Sequence, residues 1–251
     1  MTELVLIDRP AAGVAMVTLN RPEKYNALNS ALRGAFAEAM AEASADSGLR
    51  AIVVTGADPA FCAGLDLNEL GRDDYEFSSD ADGPLGCCPV PVIAAVNGVA
   101  VTGGLEIALA CDFRIASERA RFADTHARVG VFPGWGLTAR LPQAVGQSWA
   151  RQMSFTGDYV DARLALRIGL VNEVVPHGEL LARSVQIATS IASTAPSTLA
   201  RIRQTYDVGR DGTGADALGI EAERSGSGLT VEDPGGFAAR RSSVFSRGRA
   251  Q

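Results

Sequence analysis

Short apolar runs are spread along the first 175 residues of the chain. The first two, at residues 4–7 and 14–19, flank an Ala-Ala-Gly turn. Brief apolar runs bounded by turn residues are typical of strands. Further strands are predicted at residues 51–55, 92–96, 113–116 and 169–175.

Helical periodicity separates these runs. After two candidate capping residues, Asn29 and Ser30, the apolar Leu32, Phe36 and Met40 recur at the spacing of one helix face. Other helices are predicted from about residue 102 and at residues 149–155 and 162–168. This alternation of strands and helices indicates the α/β class.

The pattern changes after Pro176. Helices are predicted at residues 180–193, 197–208 and 221–226, with no clear strand among them. We therefore divide the chain into an α/β core at residues 1–177 and a C-terminal helical region at residues 178–251. The polar segment at residues 69–86, which is rich in Gly, Asp and Ser, is predicted to be a loop.

Composition narrows the class of protein. The 251 residues are 47% hydrophobic and 21% charged, as in an ordinary soluble domain, and no uninterrupted apolar run is long enough for a membrane helix. The start lacks the pattern of a secretory signal. The net charge of −6 argues against nucleic acid as the main partner. We expect a cytoplasmic protein with no membrane partner.

The chain has few histidines and cysteines, the residues that most often bind metals or form disulfides. Two histidines are too few for a histidine-based metal site. The four cysteines lack zinc spacing and do not suggest a secreted disulfide framework, so we expect reduced thiols at Cys62, Cys87, Cys88 and Cys111.

One carboxylate stands alone in a long weakly polar stretch. Between Asp82 and Asp112 the only charged residue is Glu106. Burial of an unpaired carboxylate raises its pKa, and a carboxylate with a raised pKa suits general acid–base chemistry. The alternative is a structural glutamate that is bonded to backbone amides or to an arginine.

Two glycine-containing segments, at residues 61–67 and 97–106, each follow an apolar strand and lead toward a helix. Such junctions leave backbone N–H groups without helical acceptors. Two of these N–H groups converging on one oxygen would form an oxyanion hole. The alternative for each segment taken alone is a tight strand-to-helix turn.

Seven segments occur together in a characteristic order: NRPEKYNAL (20–28), AFCAGLDL (60–67), PVIAAVNGVAVTGGLE (91–106), ACDFRIA (110–116), FADTHARVGVFPGWG (122–136), GLVNEVVP (169–176) and EDPGGFAARR (232–241). In this order the chain resembles the enoyl-CoA hydratase/isomerase (crotonase) family over nearly its whole length. The resemblance implies a spiral of ββα units, with a C-terminal helical region used for trimerisation. It also implies trimers that can pair into hexamers.

The resemblance further implies an acyl-CoA thioester as substrate, with coenzyme A as part of that substrate and no separate cofactor. The N–H groups of Leu65 and Gly103 would form the oxyanion hole, and Glu106 would be catalytic. Phe132, Trp135 and the 69–86 loop would line the acyl pocket.

By the same resemblance, several residues would contact coenzyme A itself. The backbone of Ala63, Leu65 and Leu67 would contact its adenine and pantetheine portions. Lys24 would lie near the pyrophosphate, and Arg240 near the ribose phosphate with Phe237 packed beside it. The alternative for Arg240 is a solvated charge at a helix end.

The chain departs from the family pattern at one catalytic position. Hydratases of the family use a second glutamate, and His126 stands at that place. His126 is either the proton donor that partners Glu106 or a residue that lines the pocket. Asp124, two residues before it, is expected to face elsewhere. Gly134 occupies the place where dienoyl-CoA isomerases and dehalogenases of the family carry a carboxylate, which argues against both activities.

The first interpretation is therefore an enoyl-CoA hydratase of fatty acid metabolism. The alternatives are an enzyme that resembles the Δ3,Δ2-enoyl-CoA isomerases, which would need Glu106 alone, and a catalytically silent homologue that binds CoA or RNA.

Overall fold

The structure, a computed structural model, describes residues 3–70, 85–86 and 88–211. The predicted helix at residues 221–226 and most of the 69–86 loop lie outside the described residues, as do Phe237 and Arg240. The strands are β1 (Val5–Ala11), β2 (Val14–Leu19), β3 (Ala51–Gly56), β4 (Ala60–Cys62), β5 (Val92–Val96), β6 (Val99–Val101), β7 (Phe113–Ser117), β8 (Arg121–Ala123), β9 (Val160–Asp161) and β10 (Glu173–Val175).

The helices are α1 (Ser30–Ala45), α2 (Leu67–Leu70), α3 (Gly103–Ala110), α4 (His126–Val129), α5 (Leu137–Thr156), α6 (Ala162–Arg167), α7 (Leu180–Ala192) and α8 (Pro196–Asp211). Helix α1 begins where the sequence predicts, because the Asn29 side chain accepts a hydrogen bond from the Leu32 N–H at 2.8 Å. Helix α5 is longer than expected and is broken at Gly146, whose φ is 76°.

The chain winds between two sheets. In the described residues, one sheet has the order β1-β2-β3-β5-β7-β10, and the other has the order β4-β6-β8-β9. The pairs β3–β5, β5–β7, β4–β6 and β6–β8 are all parallel. Each turn of the chain therefore adds one strand to each sheet and then a helix, which confirms the predicted spiral of ββα units.

Both faces of the larger sheet are covered. One face packs against a core that includes the fully buried Leu32 and Phe36 of α1. The other face, which includes Val53 and Ile93, packs against Leu180 and Ala188 of α7. Burial on both faces explains why residues 51–54 of β3 and all of β5 are apolar rather than alternating.

The described residues up to Ala192 form one compact unit, and α8 belongs to a second. This division falls later than the expected boundary after residue 177, because the apolar side of α7 packs on the sheet. Within the described residues, no helix is both long enough and apolar enough to cross a membrane.

Candidate active site

A pocket of about 70 Å³ lies where the two glycine-containing junctions meet α4. Its walls come from the loop after β4, from the residue that precedes α3, and from α4 with its flanking residues. The lining residues are Ala63, Leu65, Leu67, Thr102, Thr125, His126, Val129 and Val131.

Two backbone N–H groups at these junctions are candidates to bind a ligand. The Leu28 N–H donates to the Gly64 carbonyl at 2.8 Å, and the Leu28 carbonyl accepts from the Asp66 N–H at 3.1 Å. These bonds fix the residues on either side of Leu65, whose own N–H has no acceptor among the described residues. Gly103 is the first residue of α3, where an N–H has no acceptor within the helix.

Gly64 allows the two junctions to approach each other. Its φ is +91°, and a Cβ at this position would collide with Thr102 Oγ1 and lie 2.8 Å from the Val101 carbonyl oxygen. A Cβ placed on Gly103 would lie only 3.8 Å from Gly64 Cα. The segments that carry the Leu65 and Gly103 amides are therefore in contact, as an oxyanion hole requires.

Thr102, the residue before Gly103, has an unusual backbone conformation. Its φ is +47°, which is strained for a β-branched residue. Its N–H donates to the Ala123 carbonyl at 3.0 Å, and its carbonyl accepts from the Glu106 N–H at 2.9 Å. The surrounding backbone thus fixes a strained residue directly before the Gly103 amide, as is common at functional sites.

Glu106 is buried on α3, with 3% of its surface exposed, as the sequence predicts. Its Oε1 accepts hydrogen bonds from the Trp135 N–H at 2.8 Å and the Leu137 N–H at 3.4 Å. Burial raises the pKa of the carboxyl, although these bonds and the neighbouring His126 oppose the rise. One oxygen is bonded to amides, as the structural interpretation expects, while Oε2 faces His126.

His126 lies between two carboxylates. Its Nε2 is 3.7 Å from Glu106 Oε2, and its Nδ1 is 2.6 Å from Asp124 Oδ1. The expectation that Asp124 faces elsewhere is therefore wrong. The chain turns into α4 at Thr125, whose φ is −99° and ψ is 12°. The Asp124 carboxylate accepts the His126 N–H at 3.2 Å across this turn, which brings the ring to the same oxygen. The Asp-x-His spacing was the signal that could have revealed the contact.

Asp124 is only 2% exposed, yet the pKa of its carboxyl is lowered. Burial tends to raise its pKa, but hydrogen bonds from the His126 ring, the Ser154 hydroxyl and the His126 N–H outweigh that effect and lower it. The site thus combines a carboxyl of lowered pKa, an imidazole and a carboxyl of raised pKa. Such a separation of pKa values is typical of acid–base sites.

Three of the residues expected to contact coenzyme A, Ala63, Leu65 and Leu67, line the pocket. Lys24 is exposed at the end of a short 3₁₀ turn, and the next residue, Tyr25, accepts the Ala63 N–H at 3.0 Å. The Ala63 N–H is thus already bonded within the chain, although Ala63 lines the pocket. Leu67 lines the pocket and is 61% exposed.

The two aromatic residues predicted for the acyl pocket differ in their placement. Trp135 is buried beside the site, and its Cζ3 would lie 3.3 Å from a Cβ placed on Gly103. Phe132 is 81% exposed and is not among the residues that line this pocket. Aromatic character in the sequence did not distinguish these two environments.

Sequence reasoning missed the residues that hold the loop after β4. Arg21 Nη1 bonds Asp66 Oδ2 at 2.7 Å and the Ala27 carbonyl at 3.0 Å. The fully buried Asn26 amide donates to the Ala60 carbonyl at 2.7 Å and the Ala57 carbonyl at 2.9 Å. These contacts connect the NRPEKYNAL segment to the loop that presents the Leu65 amide.

We expect Asp66→Asn to lower the free energy of unfolding by about 2 kcal/mol at neutral pH, because it removes the charge that pairs with a half-buried arginine. The ion pair lowers the pKa of Asp66 below its ordinary value of 3.8. Its contribution is therefore complete above that value and is lost as the pH falls through the lower folded value. Urea unfolding between about pH 3 and pH 7 measures both effects.

Glu23→Gln is the matched control, because Glu23 is 67% exposed and lies 3.9 Å from the same arginine. Its unfolding free energy should change by less than about 0.5 kcal/mol. Equal losses of stability in the two variants would show that the Asp66 ion pair has no special role.

Comparison with known proteins found similar sequences and structures. A family model described as enoyl-CoA hydratase/isomerase matches residues 9–242. The short-chain-enoyl-CoA hydratase of Clostridium acetobutylicum is 40% identical over 228 residues, which cover 88% of this chain and 87% of that protein.

Solved structures are also similar. An enoyl-CoA hydratase from Mycobacterium tuberculosis H37Rv is 48% identical with a TM-score of 0.77, over 86% of this chain and 95% of that one. A monofunctional enoyl CoA isomerase from M. smegmatis is 34% identical with a TM-score of 0.74, over 86% of this chain and 98% of that one.

Proposed function

Because this chain belongs to the enoyl-CoA hydratase/isomerase family, we propose that it adds water across the double bond of a 2-enoyl-CoA thioester. The observation that carries the proposal is the 3.7 Å separation of Glu106 Oε2 and His126 Nε2 beside the pocket. One water molecule can lie within hydrogen-bonding distance of both atoms at once. The pair can therefore hold a water where family hydratases use two glutamates.

In the proposed addition of water, Glu106 is the base and His126 is the acid. Glu106 Oε2 accepts a proton from the water as the water oxygen bonds to the β-carbon of the substrate. The electrons of the double bond move toward the thioester oxygen, which becomes an enolate oxygen. His126, which begins the cycle with a proton on each ring nitrogen, then donates the Nε2 proton to the α-carbon and keeps the Nδ1 proton. Proton transfer from Glu106 to His126 restores the starting state.

The amides of Leu65 and Gly103 support the same step. Negative charge develops on the thioester oxygen only when the enolate forms, so fixed N–H groups stabilise the transition state more than the ground state. Their positions are fixed by the bonds of Leu28 and by the close approach at Gly64. The raised pKa of Glu106 makes its carboxylate a stronger base than an exposed one.

Substrate binding is proposed to use the rim of the pocket. The loop that carries Ala63, Leu65 and Leu67 would contact the pantetheine and adenine portions, and Lys24 would neutralise the pyrophosphate. Arg240 and Phe237 remain predictions for the ribose phosphate. The reaction needs only groups of the chain, water and the thioester, so no separate cofactor is proposed.

We expect His126→Ala to hydrate crotonyl-CoA at least about a hundredfold more slowly than the native protein, because it lacks the proton donor. Loss of the absorbance of the conjugated thioester measures the rate. His177→Ala is the control, since His177 bonds Asp58 and Ser117, which do not line the pocket, and its rate should be unchanged.

The outcomes separate the alternatives. A His126→Ala protein that retains most of the rate would make His126 a residue of the pocket wall. Conversion of a 3-enoyl-CoA without any hydration of crotonyl-CoA would favour the isomerase, which needs only Glu106. No turnover with enoyl-CoA substrates of any chain length would contradict both activities, and an RNA shift assay at physiological salt would then test the remaining alternative.

We further propose that the protein forms trimers that pair into hexamers and acts in cytoplasmic fatty acid metabolism. The resemblance to the family and the bacterial relative support this proposal. Light scattering of the purified protein should give three or six times the chain mass of 26.1 kDa, and a monomer would contradict it.

A further inference from the structure

The two ring nitrogens of His126 face different carboxylates. Nδ1 lies 2.6 Å from Asp124 Oδ1, while Nε2 lies 3.7 Å from Glu106 Oε2 on the side of the pocket. His126 is only 6% exposed, so water does not compete freely for either nitrogen. The two carboxylates therefore decide which nitrogen carries a proton.

Asp124 is held as an acceptor. Its Oδ1 accepts the His126 N–H at 3.2 Å as well as the ring contact, and the Ser154 hydroxyl of α5 donates to the same carboxylate. An ionised carboxylate accepts hydrogen bonds but has no proton to donate. A bond of 2.6 Å between this carboxylate and Nδ1 thus requires the proton on Nδ1.

We propose that Asp124 is a positioning residue that keeps a proton on Nδ1 of His126, so that Nε2 is the only ring nitrogen that exchanges protons with Glu106 and the substrate. The location of the proton follows from the geometry alone. Its use in turnover rests on the proposed hydratase function. Without Asp124 the ring can carry its proton on Nε2 and leave Nδ1 bare, and it can also rotate.

A purely structural role for Asp124 would have a different signature. The aspartate also accepts the backbone N–H of His126 at the start of α4, so its loss will change stability in either case. Only the positioning role changes which nitrogen of the ring is protonated. The test must therefore observe the ring.

Nitrogen-15 NMR of histidine observes the ring directly, and the chain has only two histidines to resolve. In a long-range proton–nitrogen spectrum, we expect His126 of the native protein to show a protonated Nδ1 throughout the range of pH in which the protein is folded. His177→Gln assigns the signals by removing one set. A bare Nδ1 in native His126 would overturn the proposal.

Asp124→Asn should change the ring, because its amide can donate to Nδ1 and so place the proton on Nε2. Asp58→Asn is the matched control, since Asp58 bonds the other histidine at 3.1 Å and should alter only the His177 signals. An unchanged His126 pattern in Asp124→Asn would overturn the proposal. If Asp124→Asn does not fold, the native spectrum decides the matter.

Kinetics of the same variants test the use of the proton. We expect Asp124→Asn to lower kcat for crotonyl-CoA hydration about a hundredfold with KM within about threefold of the native value, as for loss of a residue that fixes a catalytic tautomer. Asp58→Asn should leave both unchanged. Equal kcat in Asp124→Asn and the native protein would overturn the positioning role. A native protein with protonated Nδ1 but no hydration would instead refute the proposed function.

Discussion

Glu106→Gln is expected to bind an enoyl-CoA thioester as the native protein does, and to hydrate it at least about a thousandfold more slowly. The glutamine oxygen can still accept the Trp135 and Leu137 N–H groups that now bond Oε1. The side chain therefore keeps its place but cannot accept a proton from water. Steady-state rates with crotonyl-CoA, together with the affinity for a non-reactive acyl-CoA, measure the two effects separately.

The stability of Glu106→Gln provides its control. Burial raises the pKa of Glu106 above its ordinary value of 4.5, so the folded protein loses stability as the pH rises through that window. The variant lacks this cost, and at neutral pH its free energy of unfolding should equal or exceed the native value. A much less stable variant would show that the carboxylate serves the fold. A variant that retains the native rate would exclude Glu106 as the base.

The same pKa direction predicts the pH dependence of the native enzyme. Because Glu106 must be ionised to act as a base, kcat/KM should fall on the acidic side with a midpoint above 4.5. A profile that remains flat down to that value would contradict the proposed role. The measurement uses the range in which circular dichroism shows the protein to be folded.

Gly64→Ala is expected to lower kcat/KM by at least about a hundredfold, the usual cost of losing one oxyanion donor. Gly64 adopts a φ of +91°, and the added methyl group would collide with the Thr102 side chain. The loop must then move, and with it the Leu65 amide. Crotonyl-CoA kinetics at several substrate concentrations measure the loss, and thermal unfolding measures the accompanying strain.

Gly34→Ala is the matched control for that substitution. Gly34 lies in α1, and a Cβ placed there meets no atom within 4 Å. The variant should hydrate at the native rate and gain about 0.5–1 kcal/mol of stability from helix propensity. A folded Gly64→Ala protein with native kinetics would exclude the loop after β4 from the oxyanion hole.

The fold was largely predictable because the central strands are buried on both faces. Residues 51–54 and 92–96 are apolar throughout, so these runs predict strands without any knowledge of their partners. Strand β10 is shorter than the strand predicted at residues 169–175, since only Glu173–Val175 pairs with β7. An apolar residue in the sequence is predicted to be buried, but its backbone need not pair with a neighbouring strand.

The candidate site was predictable only in part. Glu106 stood out because its neighbours are uncharged, whereas the Arg21–Asp66 ion pair joins residues far apart in the sequence and leaves no local signal. Asp124 was placed wrongly from the sequence because only its separation of two residues from the position of the family's second glutamate was considered. Aspartate side chains often accept the backbone N–H two residues further on, and this turn would have placed Asp124 beside His126.

The central claim is that Glu106 and His126 add water to an enoyl-CoA, and product analysis in heavy water tests it most directly. Native protein is incubated with crotonyl-CoA in D₂O, beside Glu106→Gln at the same concentration, and the products are read by NMR. The account predicts a 3-hydroxyacyl-CoA that carries one deuterium at the α-carbon, formed by the native protein and not by the variant on the same timescale. Unchanged crotonyl-CoA, or a product with a shifted double bond and no hydroxyl group, would contradict it.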